Sequence, residues 1–302
     1  MVCSLLSCLS DALRSGYDEA MARGTPVSVI VPAHNEGAQI RRLLELLTNG
    51  EDERDVEVIV ACNACTDDTA DVARTLPGVT VVEIPEASKR RALEAGDAVA
   101  HHPVRAYVDA DISLTRANLL ALVDALDDRT LVVAPERHLA LERSARSVRW
   151  YYDVWQRLPS VREGVFGRGT IVMSPEGHLR VRQLPFVMSD DLAISEAFTP
   201  FERRVIPDTV STIEAPRTLR DLIRRRVRVA TGNSQLEQLG MRSDAARTSA
   251  SDLLRIASQS PTLPLKVAVF SAVAVAARLA AWRRVRAGDF STWLRDESSR
   301  RS

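Results

Sequence analysis

The sequence has 302 residues, of which 45% are hydrophobic and 26% are charged, a composition typical of a globular protein with one large domain or two small ones. Forty lysines and arginines balance forty aspartates and glutamates, so the chain lacks the overall basic excess of a nucleic-acid-binding domain. Four cysteines are too few for a disulfide scaffold and favour a protein of the reducing cytoplasm.

Residues 26–134 alternate short β-rich segments with helical segments. The predicted strands are Val27–Val31, Val56–Val60, Val79–Val82, Ala106–Val108 and Leu131–Ala134, and the predicted helices are Gln39–Leu47, Asp68–Thr75, Lys89–Ala98 and Arg116–Leu126. Nearly continuous Val/Ile strands separated by helices predict an α/β domain with a Rossmann-like, mostly parallel sheet flanked by helices. Right-handed crossovers then bring the carboxyl ends of the strands to one edge, where such sheets bind ligands.

Four polar segments follow these strands, at 34–36, 63–68, 86–89 and 109–111. In the last of them, Asp109 and Asp111 stand one residue apart at the end of a buried strand. Two carboxylates placed in this way are suitable ligands for a hard divalent cation that also binds a diphosphate. The alternative is that they only turn the chain or cap the next helix. In the same way, Asn35 and Glu36 could simply cap the helix that follows them.

Several motifs together carry a family resemblance. VSVIVPAHNE, VEVIVACNACTDDTADVA, ASKRRALEAG and YVDAD occur in an order and at a spacing that closely resemble the inverting family 2 glycosyltransferases, which have a GT-A fold. The resemblance covers roughly residues 26–235. It implies a nucleotide-sugar half at 26–134 and an acceptor half with the catalytic base at 135–235. We expect a helical or irregular segment at 1–25 and a helical C-terminal extension at 236–302.

The resemblance also implies roles for individual residues of the first half. Asp109 and Asp111 would hold Mn²⁺ or Mg²⁺, with Asp109 also meeting the donor, and Lys89 would face the diphosphate. Glu36 would accept a hydrogen bond from a ribose hydroxyl. The residues expected to border the base are Pro32, Ala33 and His34. For Lys89, a solvated position at the start of a helix is an equal alternative.

The segment from Cys62 to Asp68 departs from the family, which usually has Asp-Asp-Gly-Ser-Thr-Asp-Gly-Thr here. Cys62 or Asn63 replaces the acid that commonly meets the uracil imide, and an asparagine amide can both donate and accept. The resemblance favours a UDP-sugar as the donor, but this departure leaves GDP and TDP open. The resemblance also places Asp67 in the donor site. A redox role for Cys62 and Cys65 is disfavoured because Asp67 and Asp68 bring negative charge to the same helix start. A zinc site is disfavoured because the sequence has no second Cys-x-x-Cys and the other two cysteines, Cys3 and Cys8, lie far away in the chain.

The acceptor half contains two further motifs. Gly167 and Gly169 precede a predicted strand, Thr170–Met173, and resemble an acceptor-side glycine turn. Ser189-Asp190-Asp191-Leu192 resembles the Glu-Asp-x-x-Leu motif, which implies that Asp191 is the catalytic base with Asp190 beside it. Without the resemblance, capping of a helix would be the better interpretation. The aromatic residues of the predicted helix Leu141–Leu158 favour core packing over sugar stacking.

Arginines are concentrated at 217–228 and 278–286. Arg225 and Arg228 resemble the family's Gln/Arg-x-x-Arg-Trp motif, although Val229 replaces the tryptophan, and would bind the diphosphate. The apolar run Val267–Ala277 is shorter than the about 18 residues of a spanning helix. Residues 263–286 could contact the inner face of a membrane peripherally, or pack on the catalytic domain.

These features predict a metal-dependent, inverting transfer of one sugar from a nucleotide-sugar to a hydroxyl of a glycan, a lipid or a small molecule. Two alternatives remain. A sugar nucleotidyltransferase should have a glycine-rich phosphate loop after the first strand, and Pro32-Ala33-His34 is not one. A non-catalytic nucleotide-sugar binder or membrane scaffold would tolerate the altered base-reading loop.

Overall fold

The computed structural model describes residues 24–50 and 54–286. The segment expected at 1–25 lies almost entirely outside the described residues, and so do Cys3, Cys8 and the end of the C-terminal extension. The strands are Val27–Ala33 (β1), Val56–Asn63 (β2), Val79–Ile84 (β3), Val104–Val108 (β4), Ile112–Ser113 (β5), Val132–Ala140 (β6), Thr170–Met173 (β7) and Arg203–Glu214 (β8).

Helices connect the strands and continue beyond the sheet. They are Gly37–Thr48 (α1), Thr69–Arg74 (α2), Lys89–Val99 (α3), Arg116–Asp124 (α4), Arg146–Trp155 (α5), Pro159–Glu163 (α6), Pro175–Arg182 (α7), Asp190–Glu196 (α8), Leu219–Gln238 (α9), Ala250–Ala257 (α10) and Leu263–Arg286 (α11). The six predicted strands and the helices between them are present, with ends shifted by a few residues. The helix predicted at 141–158 is shorter, because Ser144 and Ala145 bond back to the loop before α9.

The sheet has eight strands in the order β3-β2-β1-β4-β7-β6-β8-β5. Strands β3, β2, β1 and β4 are parallel, as predicted. Beyond β4 the sheet is mixed, because β7 runs antiparallel to both β4 and β6, and β5 antiparallel to β8. Strands β6 and β8 are again parallel, so most strand pairs of this mixed sheet are parallel and the predicted α/β fold is confirmed. The sequence reading missed β5, which has only two residues, and β8, whose polar residues give no apolar run.

The carboxyl ends of β1, β2 and β4 meet at one edge of the sheet, as right-handed crossovers require. The strands that lead to this edge are buried: Val29, Val60 and Val108 are each at most 1% exposed. The polar segments that follow them are therefore fixed to a rigid apolar layer. This edge forms one wall of the cavity described below.

The C-terminal helices close the other side of that cavity. Phe270 of α11 stacks on Tyr151 of α5 with ring centroids 4.9 Å apart, and Lys266 forms an ion pair with Asp153 at 2.6 Å. At 24 residues, α11 extends past both ends of the apolar run seen in the sequence. It is the one helix among residues 24–50 and 54–286 that is long and apolar enough to cross a membrane. One of its faces nevertheless packs on α5 and α9.

Candidate active site

A cavity of about 470 Å³ lies at the carboxyl edge of the sheet and is lined by residues of both 26–134 and 135–235. It is large enough for a small ligand. It brings together most of the predicted site residues: Pro32, His34, Glu36, Asn63, Lys89, Asp109, Asp111, Gly167, Gly169, Asp190, Asp191, Arg225 and Arg228. Ala33 and Asp67 do not line it.

The loops that follow β1 and β2 are joined at one end of this cavity. The amide of Glu36 donates to Thr69 Oγ1 at 2.8 Å, and the amide of Gly37 donates to Asp67 Oδ2 at 3.1 Å. Burial alone would raise the pKa of Asp67, but hydrogen bonds from Thr69 and Gly37 lower it. Asp67 therefore caps helix α1 from the neighbouring loop. Glu36 makes no side-chain capping bond, so its carboxylate stays at the cavity wall.

Asn63 connects the same two loops from the end of β2. Its side-chain amide donates to the Ala33 carbonyl at 2.8 Å, and its own carbonyl contacts His34 Nδ1. Asn63 is buried but still lines the cavity. The chain turns through positive φ at Asn35 (53°) and at Ala64 (47°), conformations in which asparagine is enriched. Ala33 thus contributes its backbone carbonyl, while its side chain is in the core.

Asp109 and Asp111 stand beside β7 at the opposite end. The Asp109 amide donates to the Gly169 carbonyl at 2.7 Å. Gly169 has a φ of +69°, and a Cβ there would lie 2.6 Å from Ile112, so only glycine fits. Within the described residues, no three His, Cys, Asp or Glu side chains could hold a metal by themselves. Two carboxylates nevertheless fit Mg²⁺ or Mn²⁺, which take remaining ligands from phosphates and water.

Lys89 lies between the two halves of the site. Its Nζ is 2.8 Å from Asp109 Oδ1 and 3.1 Å from Asp190 Oδ2. Burial alone would lower the pKa of this ammonium, but Asp109 and Asp190 reverse the effect and raise it. Only two of the forty basic residues in the chain are lysines, Lys89 and Lys266. This rarity is a sequence signal that favours a specific role over a solvated helix start.

Asp191 sits in the first turn of α8 and faces the glycine loop. Its Oδ2 accepts from the Gly167 amide and its Oδ1 from the Leu192 amide, both at 2.8 Å. Burial, and then the neighbouring Asp190 carboxylate, raise the pKa of Asp191. A carboxylate with a raised pKa is a stronger base than one in water. Asp191 can therefore accept these two backbone hydrogen bonds and still accept a proton, because each of its carboxylate oxygens retains a further lone pair.

Helix α9 covers the carboxylates with arginines. Arg225 and Arg228 both line the cavity. Burial, and then the charge of Arg225, lower the pKa of Arg228, while Asp191 and Asp109 act in the opposite direction. The helix approaches closely because residue 232 is glycine: a Cβ there would lie 2.1 Å from Ser189 Oγ. Gly232 was not predicted as a site residue, and no local sequence motif marks it.

Arg168 is a second residue that the sequence did not reveal. It is 4% exposed, and its guanidinium donates to the carbonyls of Gly164, Pro135, Val161 and Arg162 at 2.9–3.1 Å. Burial lowers its pKa to about 10. Arg168 therefore holds the loop that presents Gly167 to Asp191.

Cys62 and Cys65, in the segment that follows β2, are free thiols. Cys62 is 1% exposed, and burial, followed by the neighbouring Cys65, raises its pKa to about 12. The Sγ of Cys65 approaches the Ala33 carbonyl at 3.5 Å. These contacts fit packing of the two loops against each other.

Comparison with known proteins agrees with this geometry. The family described as Glycosyl transferase family 2 matches residues 28–175. Uncharacterized glycosyltransferases of Mycobacterium tuberculosis and Mycobacterium bovis are 33% identical over 114 residues, which is 38% of this chain and 50% of each relative. The matched segment thus spans about half the length of these curated relatives.

Solved structures share the fold. The mannosyltransferase PcManGT from Pyrobaculum calidifontis, in complex with GDP-Man and Mn²⁺, superposes with a TM-score of 0.58 at 22% identity, covering 87% of this chain and 75% of that one. A mycobacterial protein superposes with a TM-score of 0.51 at 20% identity, covering 75% and 79%. The α/β fold with its mixed sheet is that of the GT-A enzymes. Through residues 28–175, the chain belongs to the family 2 glycosyltransferases.

Proposed function

We propose that this protein transfers one sugar from a nucleotide-sugar donor to a hydroxyl acceptor, with inversion and with a divalent metal. The observation that carries the proposal is the position of Asp109 and Asp191 on one cavity, linked through Lys89 and Asp190. In-line displacement requires a base on one side of the anomeric carbon and a stabilised diphosphate on the other. The cavity offers both kinds of group.

Asp191 is the proposed base. Its carboxylate takes the proton of the acceptor hydroxyl as the acceptor oxygen bonds to the anomeric carbon. The bond from that carbon to the diphosphate breaks, and the diphosphate leaves with the electron pair. The amides of Gly167 and Leu192 fix the carboxylate in place. Asp190 helps to keep the pKa of Asp191 raised and holds Lys89 near the leaving group.

Lys89, Arg225 and Arg228 are the proposed cations for the diphosphate. Asp109 and Asp111 would hold Mn²⁺ or Mg²⁺, which when bound neutralises charge developing on the departing phosphates. Guanidinium groups suit this role because their planar donors match phosphate oxygens in pairs. Arg228 supports the assignment because the charges of Asp191, Asp109 and Asp111 all act to raise its pKa, so its guanidinium lies near all three carboxylates.

The base of the donor is proposed to be read by Asn63. One N–H of the Asn63 side-chain amide donates to the Ala33 carbonyl. The Oδ1 of the same side chain can accept a hydrogen bond from the ring N–H of a base. Uracil, thymine and guanine each present such an N–H, whereas cytosine and adenine do not. A UDP-sugar remains the favoured donor by family resemblance, with GDP and TDP open. Glu36 is proposed to accept from the ribose.

A thermal-shift panel tests the proposal most directly. We expect UDP, GDP or TDP with Mn²⁺ to raise the melting temperature more than CDP or ADP, which share the diphosphate but lack the ring N–H. Asp111→Ala should abolish the metal-dependent part of the shift. Asp191→Asn should retain the whole shift but lose transfer by about 10² to 10⁴-fold. Wild-type transfer by the Asp191→Asn protein would disprove the base assignment, and donor binding without any hydrolysis or transfer would favour a non-catalytic binder.

The outer face of α11 is proposed to contact the cytoplasmic surface of a membrane. Its exposed side chains form one stripe along the helix that includes Leu265, Val275, Leu279 and Trp282. Arg278, Arg283 and Arg286 lie at its C-terminal end, and the helix contains no acidic residue. An apolar stripe with a basic end suits the interface of a bilayer that contains anionic lipids.

A further inference from the structure

Arg226 lines the same cavity but has no assigned role. It lies on α9 between Arg225 and Val227 and is half-buried. Its guanidinium carbon is 5.7 Å from the ring centroid of Tyr151 and 6.0 Å from that of Trp155. These two rings of α5 hold the guanidinium in place through cation–π contacts.

No carboxylate pairs with Arg226 among residues 24–50 and 54–286. Its neighbour Arg224, in contrast, forms an ion pair with Asp221 at 3.5 Å. A partly buried charge is normally paired, because removing it from water without a partner is costly. Arg226 is thus a fixed cation at the cavity wall whose natural counter-ion is not a side chain of this part of the chain.

Contacts place Arg226 on the side of the proposed base. Trp155, over which it lies, is next to the glycine loop, since a Cβ on Gly167 would be 3.6 Å from the Trp155 ring. The Gly167 amide in turn binds Asp191. The donor-side residues Glu36 and Asn63 belong to the opposite loops. The charge of Arg226 therefore faces the space left for the acceptor.

A second cation strengthens the positive potential there. The guanidinium of Arg137 lies 4.6 Å from the Trp155 ring, and its Nη1 is buried without a hydrogen bond in the described residues. Burial, and then the charge of Arg168, lower the pKa of Arg137. The surroundings of Trp155 therefore contain more positive than negative charge.

We propose that Arg226 binds an anionic group of the acceptor, so that the acceptor is a hydroxyl compound bearing a phosphate or a carboxylate. The proposal rests on the function proposed above and specifies the acceptor class of the same site. The remaining wall of this end is apolar and includes Leu158, Phe166 and Phe270. The anion can therefore belong to a small metabolite or to the headgroup of a lipid.

Four probes separate charge from chain length: glycerol, glycerol phosphate, a monoacylglycerol and lysophosphatidic acid. Each contains a free hydroxyl. Binding is measured by calorimetry on the full chain saturated with Mn²⁺ and with the diphosphate that binds best in the thermal-shift panel. We expect the phosphorylated member of each pair to bind about 10 to 100-fold more tightly than its uncharged partner. Tighter binding of lysophosphatidic acid than of glycerol phosphate would show that the anion belongs to a lipid headgroup. Tighter binding of glycerol phosphate would show that it belongs to a small metabolite.

Arg226→Gln should erase the preference for the charged probes and leave diphosphate binding unchanged. Arg226→Lys should retain part of the preference for the charged probes. Arg220→Gln, an exposed position on the same helix, should behave like the wild type. Equal binding of charged and uncharged probes by the wild type would overturn the proposal, as would a preference that survives in Arg226→Gln. Failure of the proposed function is distinguishable, because it would appear as absent diphosphate binding or absent donor hydrolysis in the wild type.

Discussion

Lys89 and Asp190 form an ion pair with a separation of 3.1 Å between Nζ and Oδ2, which joins helix α3 of the proposed nucleotide half to helix α8 of the proposed acceptor half. The same ammonium is 2.8 Å from Asp109 Oδ1. One cation therefore contacts one of the two proposed metal-binding aspartates and one member of the proposed catalytic pair. A change in the charge or position of Asp109 therefore alters the surroundings of Asp190 through Lys89, and the reverse also holds.

Lys89→Arg should lower kcat/KM by about 10 to 100-fold, even though the chain uses arginine almost everywhere else. A compact ammonium can approach two carboxylates at once, whereas a planar guanidinium is larger and directs its donors in a fixed fork. Steady-state kinetics measure the effect. Lys266→Arg is the matched control, because it alters the other lysine ion pair, with Asp153, away from the cavity. Full activity of Lys89→Arg would show that any positive charge is sufficient.

Asp190→Asn should move the acid limb of the kcat/KM profile to lower pH. The Asp190 carboxylate helps to raise the pKa of Asp191, so its neutralisation lowers that pKa. The base is active only when deprotonated, and therefore becomes active at lower pH. Lys89→Met should move the limb to higher pH, because the ammonium lowers the pKa of Asp191. Shifts in the same direction for both variants would contradict Asp191 as the titrating base.

The sequence pattern explains why the donor-side segments lie together. Residues 34–36, 63–68 and 109–111 could be placed together because each follows a parallel strand, and parallel strands end at one edge. Asp67 was placed in the donor site by its motif, but its carboxylate is occupied in fixing the loop.

Tertiary contacts explain what the sequence did not reveal. Gly232, Arg168 and Arg226 act through partners far away in the chain, so no local pattern marks them. Strand β8 escaped prediction because a strand with many exposed residues gives no run of apolar residues. The segment 263–286, considered as one unit from the sequence, is the helix α11. Lys266 interrupts its apolar run, and the charge of Lys266 is neutralised by Asp153.

Gly232→Ala should reduce kcat by up to about 100-fold with a moderate loss of stability. The new Cβ would lie 2.1 Å from Ser189 Oγ and 2.9 Å from the Ser189 amide, so α9 must move away from the turn that carries Asp191. Gly240→Ala is the control. Gly240 has a φ of +67° and open space around it, so alanine there should cost about 1–2 kcal/mol of stability and leave kcat unchanged. Unaltered kcat in Gly232→Ala would mean that the helix position is not critical.

Cys62 should resist alkylation by iodoacetamide at pH 8 in the folded protein. With its pKa raised to about 12, only about one in ten thousand Cys62 side chains is a thiolate at this pH, and the residue is 1% exposed. Peptide mass spectrometry resolves it from Cys65, which is partly exposed and should label faster. Reductant should not change activity. Rapid labelling of Cys62, or inactivation by reductant, would revive a redox role for this pair.

Leu279→Asp should weaken binding to vesicles that contain phosphatidylglycerol by about tenfold or more. Leu279 is 64% exposed near the basic end of α11, and its insertion into the interface would contribute apolar burial that aspartate removes. Co-sedimentation measures the bound fraction, and vesicles of phosphatidylcholine alone should bind less because they offer no charge to Arg283 and Arg286. Phe201→Asp is the matched control, since Phe201 is 89% exposed outside this helix. Equal loss in both variants, or equal binding to both lipids, would exclude α11 as a specific membrane contact.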